Sequence, residues 1–124
     1  MKTLLLVAHG SRVASSNETV VDLVQKLRPR LAEHGFCLAT HAFLELTNPN
    51  ITQGVEKLIS SGATEVVVLP YFLAPGTHVI DDVPAFIQQA QSTYPEVIFT
   101  LMPHLGGVEG MVDLVLNSAG LSLQ

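Results

Sequence analysis

Three of the five histidines and one glutamate stand where short apolar runs end. His9 and His104 follow such runs almost directly. His78 lies several residues further into its loop, and Glu45 ends a fourth run. If the runs are parallel strands, their carboxyl ends meet at one edge of a sheet, where ligands bind. Imidazole can bind a divalent metal ion or accept a proton near neutral pH, and a carboxylate suits a metal site with open positions. The spacing therefore predicts metal or proton-transfer chemistry at that edge.

Each of these side chains also has a structural interpretation. Glu45 is placed to cap the helix that follows it, and His104 beside a pair of glycines is suited to packing alone. His34 at a predicted helix end favours the helix dipole, and His41 lies in the middle of a run, so both are assigned structural roles. His9 differs because the glycine and serine after it make a tight turn that aims the ring. That turn favours a functional role for His9.

The apolar runs are short and rich in β-branched residues, as in strands buried on both faces of a parallel sheet. They predict strands over residues 4–8, 36–44, 65–69 and 97–102. Helical spacing of apolar residues predicts helices over about 15–34, 48–62, 81–94 and 108–117, with Pro29 interrupting the first. Right-handed crossovers then give an α/β fold, a flavodoxin-like parallel four-stranded sheet of order 2-1-3-4 with helices on both faces.

Polar residues near the predicted helix starts indicate how each helix begins. Ser15 and Glu18 are spaced as a capping box for the first helix. Asn48, followed by a proline, is predicted to cap the second helix. The third helix is expected to begin at Asp81 or Asp82, which leaves an unusually long loop after the third strand.

Composition bounds the class of protein. The 124 residues predict one domain, 1–124, in which residues 118–124 form a frayed tail. A net charge of −5 with scattered basic residues argues against a nucleic-acid partner. No apolar stretch approaches the roughly 18 residues that a membrane span needs. The single cysteine, Cys37, cannot form an internal disulfide and is expected in the core, and the cytoplasm is the expected location.

Three sequence blocks carry a family resemblance. They are VAHGSR at 7–12, FLE at 43–45 with NP at 48–49, and VLPYFL at 68–73 with GTH at 76–78 and DVP at 82–84. Together, over residues 1 to about 105, they resemble the short-form sirohydrochlorin cobaltochelatases and ferrochelatases of the class II chelatase family. The resemblance implies a flavodoxin-like fold and ATP-independent insertion of Co²⁺ or Fe²⁺ into sirohydrochlorin. It also implies a homodimer with no tightly bound cofactor, in which the metal is a substrate.

The resemblance implies roles for three of the edge residues. His9 and His78 match the active-site histidines of the family, and are expected to ligate the metal and accept protons. Glu45 matches a carboxylate that assists metal handling. Such roles suit metallation, which must hold the metal, release its waters and remove the pyrrole protons.

The same comparison indicates which residues bind the tetrapyrrole. They are Ser11, Arg12, Tyr71, Phe72, Gly76 and Thr77. Arg12, at the end of the first block, is the basic residue nearest the other motif residues. Sirohydrochlorin carries many carboxylates, so helix N-termini are candidates for binding some of them. The apolar stretch that begins at Tyr71 is suited to packing on the macrocycle, and a core role for Phe72 is equally open.

Two other classes of function stay open. A non-catalytic carrier would bind the metal or the tetrapyrrole tightly without accelerating insertion. A phosphoryl-transfer enzyme would use His9, as in phosphatases with an arginine-histidine-glycine signature after the first strand. Here Ala8 stands in place of that arginine, and Gly10 alone is too little for a glycine-rich phosphate loop.

Overall fold

The strand runs form the sheet that the sequence predicts. The structure is a computed structural model that describes residues 1–121, with the backbone alone for residues 77–80. Its strands are β1 Lys2–Ala8, β2 Leu38–Phe43, β3 Glu65–Pro70 and β4 Ile98–Leu101. All of them pair in parallel, in the order β2-β1-β3-β4. The α/β fold and the strand order 2-1-3-4 are confirmed.

Four helices connect or follow the strands. They are α1 Ala14–Leu27, α2 Ile51–Ser60, α3 Thr77–Thr93 and α4 Gly110–Ala119, with short 3₁₀ turns at Arg28–Arg30, Ala32–His34 and Leu105–Gly107. Pro29 lies in the first of these turns, so it interrupts the helix as predicted. None of the described helices is long and apolar enough to cross a membrane.

The alternation of side chains along β1 divides the core into two layers. Leu5 and Val7 pack on one face of the sheet, and Leu6 and Ala8 pack on the other. The first layer includes buried residues of α2 and α3, and the second includes buried residues of α1. Because both faces of β1 are covered, its carboxyl end is held rigidly at the centre of the sheet edge.

The predicted starts of α1 and α3 are wrong. α1 begins at Ala14, with Val13 in the N-cap position and no side-chain cap, so Ser15 already lies inside the first turn. α3 begins at Thr77, directly after Gly76, rather than at Asp81 or Asp82. Residues 77–80, which were predicted to belong to the loop after β3, form the first turn of α3 instead. The loop is therefore shorter than predicted.

The second helix is capped, but by a different asparagine. Asn50 accepts a hydrogen bond from the Gln53 N–H at 2.8 Å, and the Gln53 side chain accepts one from the Asn50 N–H at 2.8 Å. This reciprocal capping box replaces the cap predicted at Asn48, which precedes a cis peptide bond to Pro49.

Cys37 lies outside the core. It directly precedes β2, and its side chain is exposed. The prediction of a buried cysteine is wrong because β2 begins at Leu38, two residues later than the apolar run that suggested it.

Candidate functional site

His9 and Glu45 come together where β1 and β2 end. The register pairs Ala8 with Phe43, and the chain beyond each strand continues the contact. The Leu44 N–H donates to the Ala8 carbonyl oxygen at 3.0 Å, and the Glu45 N–H donates to the His9 carbonyl oxygen at 3.2 Å. These backbone bonds bring the side chains to a distance of 3.5 Å between His9 Nε2 and Glu45 Oε1.

The His9–Glu45 pair is open to solvent. The two side chains are 52% and 58% exposed, so the pair contributes little to stability as an ion pair. His9 Nδ1 lies 3.3 Å from the Gly10 carbonyl oxygen. When Nδ1 carries the imidazole hydrogen, it donates to that oxygen and leaves the lone pair of Nε2 facing Glu45. The pair therefore presents two electron-pair donors to an incoming cation.

The close approach of the two loops requires glycine at position 10. Gly10 has a φ of +96°, in the left-handed region that favours glycine. A Cβ at this position would overlap the carbonyl oxygen of Glu45. The backbone after His9 thus packs directly against the backbone of Glu45.

A residue that the sequence analysis missed holds the loop after His9. The Asn17 side chain accepts a hydrogen bond from the Ser11 N–H at 2.9 Å and donates one to the Ser11 carbonyl oxygen at 2.7 Å. Ser11 Oγ in turn accepts a bond from the Val13 N–H at 3.0 Å. Asn17 lies between Ser15 and Glu18, the two residues of the predicted capping box. Its side-chain type could have indicated this role, because asparagine side chains often bond to nearby backbone groups.

The loop after β3 reaches the same edge of the sheet. The Tyr71 N–H donates to the Val7 carbonyl oxygen at 2.7 Å, which places Tyr71 beside the end of β1. Tyr71 and Leu73 line one side of an open groove of about 690 Å³, and α4 lines much of the other. Phe72 packs against the first core layer, in agreement with the core role that was left open for it. Arg12 is exposed, on the loop after β1.

The predicted binding residues at the start of α3 are only partly described. Gly76 takes the N-cap position, and no described atom lies within 4 Å of where a Cβ would stand. Thr77 and His78 belong to the first turn of α3, and their side chains lie outside the described residues. The backbone therefore puts His78 on a helix rather than in a loop.

His104 and His41 have mainly packing contacts. A Cβ at Gly107 would stand 3.1 Å from Cε1 of the His104 ring, so the ring lies directly on that glycine. The centroids of the His41 and Phe43 rings are 5.4 Å apart. Burial lowers the pKa of His41 below its ordinary value, and the charges of Lys57 and Arg28 lower it further. Both histidines fit the structural interpretation.

The described side chains alone do not complete a metal centre. Among them, no group of three or more histidine, cysteine, aspartate or glutamate residues is arranged to hold a metal ion. The His9–Glu45 pair supplies two ligand atoms and leaves the rest of the coordination sphere open. Such an open pair suits a metal that is passed on rather than stored.

Comparison with known proteins identifies the family. The CbiX family model matches residues 3–120. The chain belongs to the CbiX family. Over 87 residues it is 36% identical to the sirohydrochlorin cobaltochelatase of Methanococcus maripaludis, a match that covers 70% of this chain and 58% of that protein. Over 117 residues it is 32% identical to the sirohydrochlorin ferrochelatase of Priestia megaterium, covering 94% and 43%.

A solved chelatase structure shares the fold of this chain. The sirohydrochlorin chelatase SirB from Bacillus subtilis subspecies spizizenii, in complex with cobalt, superposes with a TM-score of 0.80 at 28% identity. The match covers 95% of this chain and 49% of that one. The chain thus spans between about two fifths and three fifths of the length of these relatives.

Proposed function

We propose that this CbiX-family protein inserts Co²⁺ or Fe²⁺ into sirohydrochlorin without ATP. The observation that carries the proposal is the placement of His9 Nε2 and Glu45 Oε1 3.5 Å apart at the exposed carboxyl edge of the sheet. Relatives named as sirohydrochlorin cobaltochelatase and ferrochelatase support the substrate. No cofactor besides the metal substrate is part of the proposal.

The spacing of the pair suits a shared metal ion. Two ligand atoms that lie about 2.1 Å from a tetrahedral ion are about 3.4 Å apart. The observed 3.5 Å therefore allows His9 and Glu45 to bind one ion without a rearrangement of the backbone. His78, on the first turn of α3, is proposed as a further metal ligand.

The same side chains account for the protons that insertion releases. The tetrapyrrole loses two pyrrole N–H protons as its nitrogens bind the metal, so charge balances without an oxidant or a nucleotide. When the metal leaves His9, the freed Nε2 lone pair accepts one proton, and we assign the second to His78. Only weak metal binding by the protein allows this transfer, and an exposed pair of ligands meets that condition.

The tetrapyrrole is proposed to lie over the edge of the sheet between the loops after β1 and β3. Arg12 provides a positive charge for a substrate carboxylate, beside the Ser11 backbone. Tyr71 and Phe72, partly buried against the core layers, are proposed to offer their remaining surface to the macrocycle. Gly76 and Thr77 are proposed to contact the substrate at the start of α3. Binding must favour the distorted macrocycle over the flat one, because only that difference lowers the barrier to insertion.

Two copies of the chain are proposed to form the working unit. Four apolar residues of α4 are more than half exposed: Val112, Leu114, Val115 and Leu116. Three of them, Val112, Val115 and Leu116, share one side of the helix at helical spacing, and an exposed apolar helix face of this kind is proposed as the interaction site. Because SirB and the Priestia enzyme are about twice as long as the part that this chain matches, a second copy is the partner of matching size.

Light scattering tests the dimer. The wild type is expected at twice the 13.3 kDa of one chain, and Leu116→Lys on α4 is expected to shift it towards one chain. Val13→Lys, at an exposed apolar position on a different element, is the matched control. A wild type that stays at the mass of one chain at micromolar concentration would contradict the proposal.

Anaerobic absorbance of sirohydrochlorin tests the activity. Wild type with Co²⁺, and separately with Fe²⁺, is expected to convert the spectrum faster than the uncatalysed reaction. His9→Ala/His78→Ala is expected to abolish the acceleration, and His34→Ala is the control for loss of a histidine elsewhere. Tight stoichiometric binding without acceleration would instead show a carrier, and phosphatase activity without metallation would show phosphoryl transfer through His9.

A further inference from the structure

The loop that carries His9 has few fixed points. Between the end of β1 and the start of α1 lie five residues, 9–13. His9, Arg12 and Val13 are exposed. No side chain caps α1 at Val13, so the helix start does not hold the loop. The conformation of the loop must therefore depend on the contacts that Gly10 and Ser11 make.

Asn17, on α1, makes two hydrogen bonds to the backbone of Ser11. Its amide bonds both to the N–H and to the carbonyl oxygen of Ser11, at 2.9 and 2.7 Å. A primary amide carries a donor and an acceptor side by side, which is what both backbone groups of one residue require. Aspartate offers acceptors alone, and alanine or leucine offers neither. Asn17 is also half-buried, so water competes with these bonds less than at a fully exposed site.

The hold on Ser11 extends to the metal-binding pair. Ser11 follows Gly10, whose backbone packs against the Glu45 carbonyl oxygen. The carbonyl oxygen of His9, the residue before Gly10, accepts a hydrogen bond from the Glu45 N–H at 3.2 Å. If the backbone at Ser11 moves, both contacts change, and with them the 3.5 Å between His9 Nε2 and Glu45 Oε1.

We propose that Asn17 is a positioning residue for metal insertion, which holds the Ser11 backbone so that His9 and Glu45 stay at the separation of two ligands on one ion. The inference rests on the proposed function of the pair. The hydrogen bonds of Asn17 go to the Ser11 backbone, so its effect on the metal passes through the loop. Its removal is expected to act by changing the separation of His9 and Glu45.

Cobalt affinity and turnover of two Asn17 variants test the proposal. Asn17→Leu keeps the size of the side chain and removes both hydrogen bonds, and Asn17→Ala serves if the leucine variant does not fold. Either is expected to weaken Co²⁺ binding, read from the cobalt absorbance, by about tenfold, since ligand orientation by a neighbouring group is typically worth 10–100-fold. The insertion kcat is expected to fall with the cobalt affinity.

Thr19→Ala is the matched control. Thr19 lies two residues further along α1, and its hydroxyl donates to the Ser15 carbonyl oxygen at 3.0 Å without reaching the loop. This variant is expected to keep wild-type cobalt affinity and kcat. A loss of thermal stability shared by Thr19→Ala and the Asn17 variants, with cobalt affinity unchanged in all of them, would overturn the proposal.

A double-variant comparison separates positioning from a general structural role. In a His9→Ala background, adding Asn17→Leu is expected to cause no further loss of cobalt affinity. An equal loss with and without His9 would overturn the proposal. If wild type binds Co²⁺ in an Asn17-dependent way but never metallates sirohydrochlorin, the proposed function fails and the positioning role stands. If wild type is active and the Asn17 variants match it in cobalt affinity and kcat, the positioning role fails alone.

Discussion

One added methyl group at Gly10 tests the geometry of the candidate site. Gly10 has a φ of +96°, and a Cβ there would overlap the Glu45 carbonyl oxygen. The left-handed backbone costs about 1–2 kcal/mol for an L residue, and relieving the overlap adds about 1–3 kcal/mol, as at other overpacked sites. Gly10→Ala is therefore expected to lower the free energy of unfolding by about 2–5 kcal/mol, the sum of the two costs.

Gly35→Ala separates the two costs. Gly35 also has a positive φ, of +83°, but no described atom lies within 4 Å of the position that its Cβ would take. This variant is expected to lose only about 1–2 kcal/mol, so the difference between the variants in urea unfolding measures the overlap. Because relieving the overlap moves Glu45 away from His9, Gly10→Ala should also weaken Co²⁺ binding, and Gly35→Ala should not. Equal destabilisation of the variants, or unchanged cobalt affinity in Gly10→Ala, would refute the close approach.

Three further substitutions have defined outcomes. Glu45→Gln is expected to weaken Co²⁺ binding at least about tenfold, with little change in stability because the His9–Glu45 pair is half-exposed. Glu33→Gln, in the exposed Arg30–Glu33 ion pair, is the control and should leave cobalt binding unchanged. Equal cobalt affinities of the two variants would remove Glu45 from the site. Asn50→Ala removes the cap of α2 and is expected to cost about 1 kcal/mol in urea unfolding without affecting metal insertion; a cost near zero would show the cap to be unimportant. Folding lowers the pKa of His41 from 6.5, so the unfolded chain binds the proton first as the pH falls. The free energy of unfolding therefore decreases as the pH drops through and below 6.5. His41→Gln should flatten this part of the stability profile, and an unchanged profile would assign the pH dependence to other groups.

Apolar patterning was enough to predict the sheet. The strand runs are short, β-branched and bounded by turn residues, and the alternation of helices between them restricts the connections to right-handed crossovers. Since parallel strands end at one edge, the proximity of His9 and Glu45 also followed from their positions after strands.

The helix starts and the loop contacts did not follow from the sequence. Asn48 and Asn50 are chemically identical candidates for the cap of α2, and only the path of the chain before the helix selects Asn50. The bonds from Asn17 to Ser11 could not be predicted because they form only in one conformation of a short loop. Cys37 was placed in the core because hydrophobicity shows where an apolar run lies, and does not show at which residue the strand begins.

In the proposed mechanism, His9 holds the metal ion before insertion. Pulsed electron paramagnetic resonance on the Co²⁺-loaded protein, labelled with ¹⁵N-histidine, tests this directly. Imidazole nitrogen coupling to the cobalt is expected to decrease in His9→Ala and to be unchanged in His41→Gln. Coupling of wild-type strength in His9→Ala, in folded protein that still binds cobalt, would place the ion elsewhere and contradict the assignment of His9 as a metal ligand.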